Sequence, residues 1–299
     1  MTPAFGEDNQ SEQPAMQLHN RNADVYVPDH SDGDAALGRT THLGIGAHQD
    51  DLEIMAAHGI LECYRQPRMH FTGVTCTNGS GSARTGLYAN YSDEDMQRVR
   101  RQEQRKAATV GEYSAMLQLD YASAAIKGDG WRELQADLVR ILKACRPEIV
   151  YTHNPADKHA THAAVSATII RAVRELPPSH RPTTLLGCEV WRDLDWLADD
   201  RKVALDVSAR ESLAVSLLGI FDSQIAGGKR YDLAAQGRRR ANATYFSSHE
   251  CDESTGLSFA MDLSPLVRDD TVDPVDFLLE HIDAFRHTVR EQFGSQFRK

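Results

Sequence analysis

Apolar runs and polar intervals alternate along this chain with two periods. "HLGIGAH" at 42–48 is a continuous apolar run of strand length. The stretch after it, "DLEIMAAHGILECYRQ", carries Leu52, Met55, Ala56, Ile60 and Leu61 mostly at spacings of three and four, the period of a helix face. "HFTGVTCT" at 70–77 predicts the next strand, and "SDEDMQRVRRQEQRKAATVG" at 92–111 the next helix. That helix has Ser92 as its N-cap, Asp93 to Asp95 at the positive end of its dipole, and a stop at Gly111. The alternation continues with a strand in "SAMLQLDYA", a helix in "WRELQADLVRILKACRP", the strand "EIVYTH" and the helix "HATHAAVSATIIRAVREL", which Pro177-Pro178 ends. Strands alternating with helices predict a parallel α/β sheet covered on both faces.

Beyond the two prolines the texture changes. "TTLLGCEVWR" and "KVALDVS" read as two further strands, followed by helices over 209–221 and about 229–243. A last amphipathic helix, "VDFLLEHIDAFRHTVREQF", places Phe277, Leu278, His281, Ile282, Phe285 and Val289 on one face. At the other end, residues 1–38 are rich in Gln, Asn, Asp, Gly and Pro. They predict a disordered or surface-wrapping segment ahead of a single domain over 39–299.

Composition narrows the class. With 41% hydrophobic and 25% charged residues in 299 and a mean hydropathy of −0.48, the chain has the makings of a soluble globular protein with a sizeable core. A net charge of −10 repels phosphate backbones, and the one basic cluster, "GRRR" at 237–240, is short, so no nucleic-acid partner is expected. No apolar run approaches a membrane span and no secretory signal opens the chain, which predicts a cytoplasmic protein without a membrane partner. The five cysteines are scattered and never form a CxxC pair, so they read as reduced and mostly buried. Homo-oligomerisation stays open.

The chemistry sits where two strands end. His48-Gln49-Asp50-Asp51 follows the first strand, and "THNPADKHATH" at 152–162 follows "EIVYTH". In a parallel sheet both lie at the carboxyl ends, where ligands bind. An isolated His-x-x-Asp at a helix start is ordinarily an N-cap beside a solvent-facing imidazole. Two such clusters at neighbouring strand ends are a different matter, because zinc takes imidazole nitrogen and carboxylate oxygen and a catalytic zinc keeps three protein ligands. His48, Asp51 and His162 could make that trio, with zinc or another divalent ion. Asp50, adjacent but not needed as a ligand, suits a general base.

"AHQDDLE" resembles the Ala-His-Pro-Asp-Asp-x-Glu motif, and "DKHATH" the Asp-x-His-x-Asp-His motif, of the LmbE-like, or PIG-L, metal-dependent deacetylases. The resemblance spans roughly 40–190, leaves 190–299 as a divergent strand and helix extension, and includes Arg100, Glu103 and Ala107 as a weaker Arg-x-x-Glu-x-x-x-Ala match. It implies a Rossmann-like sheet and removal of an N-acetyl group from a small N-acetylglucosamine-type amino sugar or conjugate. It further implies metal ligation by His48, Asp51 and His162, Asp50 as base, and His159 as the residue that stabilises the oxyanion and protonates the leaving amine. Two positions depart from the motifs. Gln49 stands for proline, which loosens the turn, and Thr161 stands for aspartate, which predicts a less basic His159.

Weaker candidates remain. Arg100 and Asn78 are the substrate-contact candidates, although a helix arginine ordinarily faces solvent. The loop "TNGSGSARTGLYANYS" at 77–92 reads equally as a surface loop or a substrate lid. Trp191 and Trp196 could stack on a sugar, or pack in a core or interface, and Arg238 to Arg240 read as a solvated face. Two other classes stay in play. A phosphoesterase would need a second metal and more ligands; a non-catalytic dinucleotide-binding module would need a GxGxxG that is missing after the first strand. No GxSxG elbow supports a serine hydrolase.

Overall fold

The computed structural model describes residues 16–297. Eight strands form one mostly parallel sheet with helices on both faces, in the order β1-β4-β3-β2-β5-β6-β8-β7. The chain runs through β1 (Asp24–Tyr26), α1 (Gly33–Gly38), β2 (His42–Gly46), α2 (Asp51–Met55), α3 (Ala57–Cys63), β3 (Phe71–Thr77), α4 (Asp93–Val110) and β4 (Ala115–Tyr121). Next come α5 (Ser123–Lys127), α6 (Trp131–Cys145), β5 (Ile149–His153), α7 (Ala160–Arg174), β6 (Thr184–Cys188) and β7 (Lys202–Asp206). The last elements are α8 (Glu211–Gly219), α9 (Asp222–Ile225), α10 (Tyr231–Tyr245), β8 (Leu257–Asp262), α11 (Pro265–Arg268) and α12 (Pro274–Phe297).

The five central strands pair in parallel, and β1, β8 and β7 close the edges antiparallel. Strand order reverses at β2, which has β3 on one side and β5 on the other, so a crevice opens beyond the carboxyl ends of β2 and β5. Leu43 and Ile45 of β2 point into one core layer with Leu138 and Leu142 of α6 and Val165 and Ile169 of α7. The opposite layer holds Leu52, Met55 and Ile60 with Ala107 and Ala108 of α4. On that face β2 presents glycine. A Cβ on Gly46 would stand 3.0 Å from Asp51 Cβ, so the missing side chain lets α2 fold back against the strand that precedes it.

Three findings differ from the pattern along the chain. The single helix expected after β2 is two, broken at Ala56, and α3 lies so close to β5 that a Cβ on Gly59 would stand 2.6 Å from the Tyr151 ring. Order begins before Thr40: β1 pairs with β4, Met16, Leu18, Val25 and Val27 pack on the core, Asn20 Nδ2 donates to Leu119 O at 2.8 Å, and Arg105 pairs with Asp24. Polar anchors hold this segment, and hydrophobic periodicity does not register them; the rest of the segment expected to be disordered or surface-wrapping, residues 1–15, lies outside the described residues. Finally, β8 occupies a stretch where the pattern predicts no element. No helix among the described residues is long and apolar enough to cross a membrane.

Candidate active site

Past Gly46 the chain turns into α2 through His48, Gln49 and Asp50. Asp50 has φ 91° and ψ −27°, a left-handed conformation that costs a non-glycine residue about 1–3 kcal/mol. The surroundings over-determine it. Asp50 N–H donates to Gln104 Oε1 at 3.2 Å, while Gln104 Nε2 and the Tyr113 hydroxyl donate to Glu53 Oε1 at 2.8 and 2.7 Å. Arg100 donates to Gln49 O and to Ser82 Oγ, and its guanidinium stands 3.4 Å from Asp50 Oδ2. Gln49 Nε2 donates to Thr77 O at 3.0 Å, so an amide tether to the end of β3 stands where the related motif has proline.

The β5 side is held differently. Asp157 Oδ1 accepts from His159 N–H at 3.1 Å; its Oδ2 accepts from Trp191 N–H at 3.1 Å and lies 3.4 Å from His162 Nδ1. A proton on Nδ1 shared with Asp157 leaves the Nε2 lone pair of His162 free to face the crevice.

The two ends converge. His48 Nδ1 lies 3.2 Å from His162 Nε2 and 3.3 Å from Asp51 Oδ2, and His162 Nε2 lies 3.5 Å from the same oxygen. Donors bound tetrahedrally at ~2.0–2.1 Å from one ion stand roughly 3.3–3.4 Å apart, so this donor set fits a divalent metal. His153 is the residue that reading the chain missed. Fully buried, it stacks on His162 with ring centroids 3.7 Å apart, and its Nε2, 3.3 Å from Asp51 Oδ2, accepts from Ala47 N–H at 2.9 Å. It lies inside the quoted cluster at 152–162, and a histidine closing a buried strand was the available signal. Geometry alone also allows His159 with His48 and His162, or His153 with Asp51 and His162, to hold an ion.

Electrostatics separate the adjacent carboxylates. Burial pushes the Asp50 carboxyl well above its usual range, reinforced by Asp51 and only partly offset by Arg100. Burial acts the same way on Asp51, but the His162 and His153 imidazoles prevail and hold it well below. Neighbouring carboxyls pushed apart in this way are suited to different roles. Burial lowers His153 and His159 to about 4, helped at His159 by the His48 and His162 imidazoles. His162 is raised, because Asp51 and Asp157 outweigh its burial.

Above the cluster lies a cavity of about 370 Å³. His48, Asp50, Asp51 and His159 line its floor, Gly79, Gly81, Ser82 and Ala83 of the loop after β3 one wall, and Trp191, Lys229 and Tyr231 the other. Trp191 stacks on His159 with centroids 6.2 Å apart and carries Lys229 Nζ 5.2 Å from its ring, whereas Trp196 packs against the core. Thr161 is buried at the cavity with its hydroxyl unpartnered. Arg100 is not a solvated helix residue: it is 3% exposed and anchors the Asp50 turn. Asn78, the other substrate-contact candidate, is not among the residues that line the cavity, and its Oδ1 accepts from Ser80 N–H at 3.2 Å. The arginine run is a solvated face only at Arg240. Arg239 is buried and donates to the Glu53 and Ile54 carbonyls of α2, Arg238 bonds Val190 O, and Arg240 pairs with Glu211. The five cysteines are free, and only Cys251 is exposed.

A doubly covered α/β sheet with a histidine and aspartate cluster at its switch point defines the class. Residues 43–173 match the family model described as PIG-L: GlcNAc-PI de-N-acetylase. No curated protein matches the chain. Among solved structures it is similar to the N,N'-diacetylchitobiose deacetylase from Pyrococcus horikoshii, with TM-score 0.60 and 16% identity over 80% of this chain and 88% of that one. It is also similar to the zinc-inhibited form of teicoplanin deacetylase Orf2, with TM-score 0.53 and 14% identity over 74% and 97%. A third, GalB, the 4-carboxy-2-hydroxymuconate hydratase from Pseudomonas putida KT2440, has TM-score 0.54 and 15% identity over 75% and 95%. These identities establish shared fold, and the hydratase among them means that fold alone does not select the reaction.

Proposed function

We propose that the protein is a metal-dependent hydrolase that removes an N-acetyl group from an N-acetylglucosamine-type amino sugar or conjugate. The observation that carries this is the convergence of His48 Nδ1, Asp51 Oδ2 and His162 Nε2 at 3.2–3.5 Å beneath an open cavity. These three residues would hold the ion, zinc first. When bound, such an ion supplies Lewis acidity, which acidifies water and polarises an amide carbonyl.

The remaining work falls to the chain. Asp50 Oδ2 is buried and makes no hydrogen bond, so it is free to take a proton from the attacking water, while Arg100 keeps the carboxyl from rotating away. His159, neutral near pH 7, presents an imidazole N–H toward the developing oxyanion. A neutral imidazole is a poor acid, so the proton gathered by Asp50 is the better one to deliver to the leaving amine. Trp191 offers an aromatic face to a sugar ring, and the loop at 79–83 shields the opposite side.

The test is to incubate metal-loaded protein with a panel of N-acetylated sugars and conjugates while measuring acetate and free amine together. Equal release of both, lost on chelation, is the expected result. An intact panel alongside cleavage of a phosphate ester or hydration of an unsaturated acid would replace this reading.

A further inference from the structure

The last helix carries an apolar face that nothing in the described residues covers. α12 runs for 24 residues without one buried side chain, a length of roughly 36 Å. Phe277 and Leu278 in its first turns pack partly against the core; from Ile282 to Phe293 every residue is exposed. Val275, Leu279, Ile282, Phe285, Val289 and Phe293 are each 43–67% exposed, and their spacings of three and four place them on one face. A monomer rarely displays so long an apolar stripe unless the stripe is an interaction surface.

The charges indicate what covers it. In the first half of the helix the flank of the stripe carries Asp276, Glu280 and Asp283; in the second half the same flank carries Arg286, His287 and Arg290. Glu291 is the exception, and it is paired with His287 at 3.0 Å. Turned end for end about residue 284, the stripe falls on itself to within one residue, with Val275 opposite Phe293, Leu279 opposite Val289 and Ile282 one residue out of register with Phe285. A two-fold axis across two such helices sets each flank against the same flank of its mate, so acidic halves meet basic halves. A parallel pairing would set each charged flank against the opposite flank, where His281, Thr288 and Gln292 lie, and leave the acidic and basic halves without a partner.

We propose that α12 is the docking surface for a second copy of this chain, the two helices pairing antiparallel. The proposal does not depend on the enzymatic reading. Sedimentation equilibrium of the full chain should give twice its 33.3 kDa at about 100 μM, a concentration at which even a micromolar dimer assembles. Ile282→Glu with Phe285→Glu should restore the monomer, with the melting temperature that wild type has when diluted until it too is monomeric. Asp276→Lys/Glu280→Lys/Asp283→Lys and Arg286→Glu/Arg290→Glu should each be monomeric alone and dimeric when mixed. Direction is read by cross-linking in a Cys251→Ser background, since that thiol is exposed. Leu279→Cys with Val289→Cys should link two chains, whereas linkage of Leu279→Cys to itself would show a parallel pair and overturn the proposal. A wild-type chain that stays monomeric, or a dimer indifferent to the Ile282/Phe285 pair, would also overturn it. So would a monomer whose α12 amides are protected from exchange by residues 1–15, or one that binds lipid vesicles through the stripe.

Discussion

The turn after β2 and the loop after β5 bring their residues to the same point by opposite means. The β2 turn is held from outside: a backbone in a left-handed conformation is kept in place by Arg100 and Gln104 of α4 and by Glu53 of α2. The β5 loop is held largely from within, by one side chain, Asp157, which takes two backbone N–H groups and the His162 ring. The difference shows how labour is divided. The side that carries the carboxylate proposed to handle the proton has an unfavourable backbone and remote support, whereas the β5 side has a local orienter.

The sharpest way to break this division is at Asp50. Asn tolerates positive φ, so Asp50→Asn should fold and keep its metal, yet lose about 10²–10⁴-fold in turnover. Retained turnover would remove Asp50 from the chemistry. Next in size, Arg100→Met should lower unfolding free energy by about 3–5 kcal/mol, because it strands a buried carboxyl and a carbonyl. A urea midpoint unchanged from wild type would mean that the turn holds itself.

Glu53 sharpens the same side through pH. Burial, aided by Asp51 and opposed by the Tyr113 and Gln104 hydrogen bonds, raises it from 4.5 to about 7. A raised acid binds its proton more tightly in the folded state, so its stabilising contribution is whole below pH 4.5 and lost as pH climbs through 7. In chelated protein, Glu53→Gln should therefore match wild type near pH 4 and exceed it at pH 8 by roughly 3 kcal/mol. A pH-independent difference would contradict this. The smallest effect belongs to the β5 side. Asp157→Asn should weaken metal affinity about 10–100-fold, read by competition with a chelating dye, and shift melting little.

What the chain reveals on reading follows from the same contrast. His48, Asp50, Asp51, His159 and His162 stand out because polar groups at the ends of apolar runs break the pattern that packing would write. Gln104, Glu53 and Arg239 do not, since a polar residue on an amphipathic helix looks the same whether it faces water or a buried turn. The central parallel strands are legible as long apolar runs. β1 and β8 are not, because one is three residues long and the other is an edge-region strand of mixed polarity. The apolar face of α12 is readable as a period, but only the structure shows that the described residues do not bury it.

Asp50 has one more consequence. Aspartate codons differ from glycine codons by a single base, and glycine would adopt φ 91° without strain. Asp50→Gly should unfold at a higher temperature than Asp50→Ala, by about 1 kcal/mol. A version of this protein relieved of that backbone strain but lacking the proposed base is therefore one point mutation away.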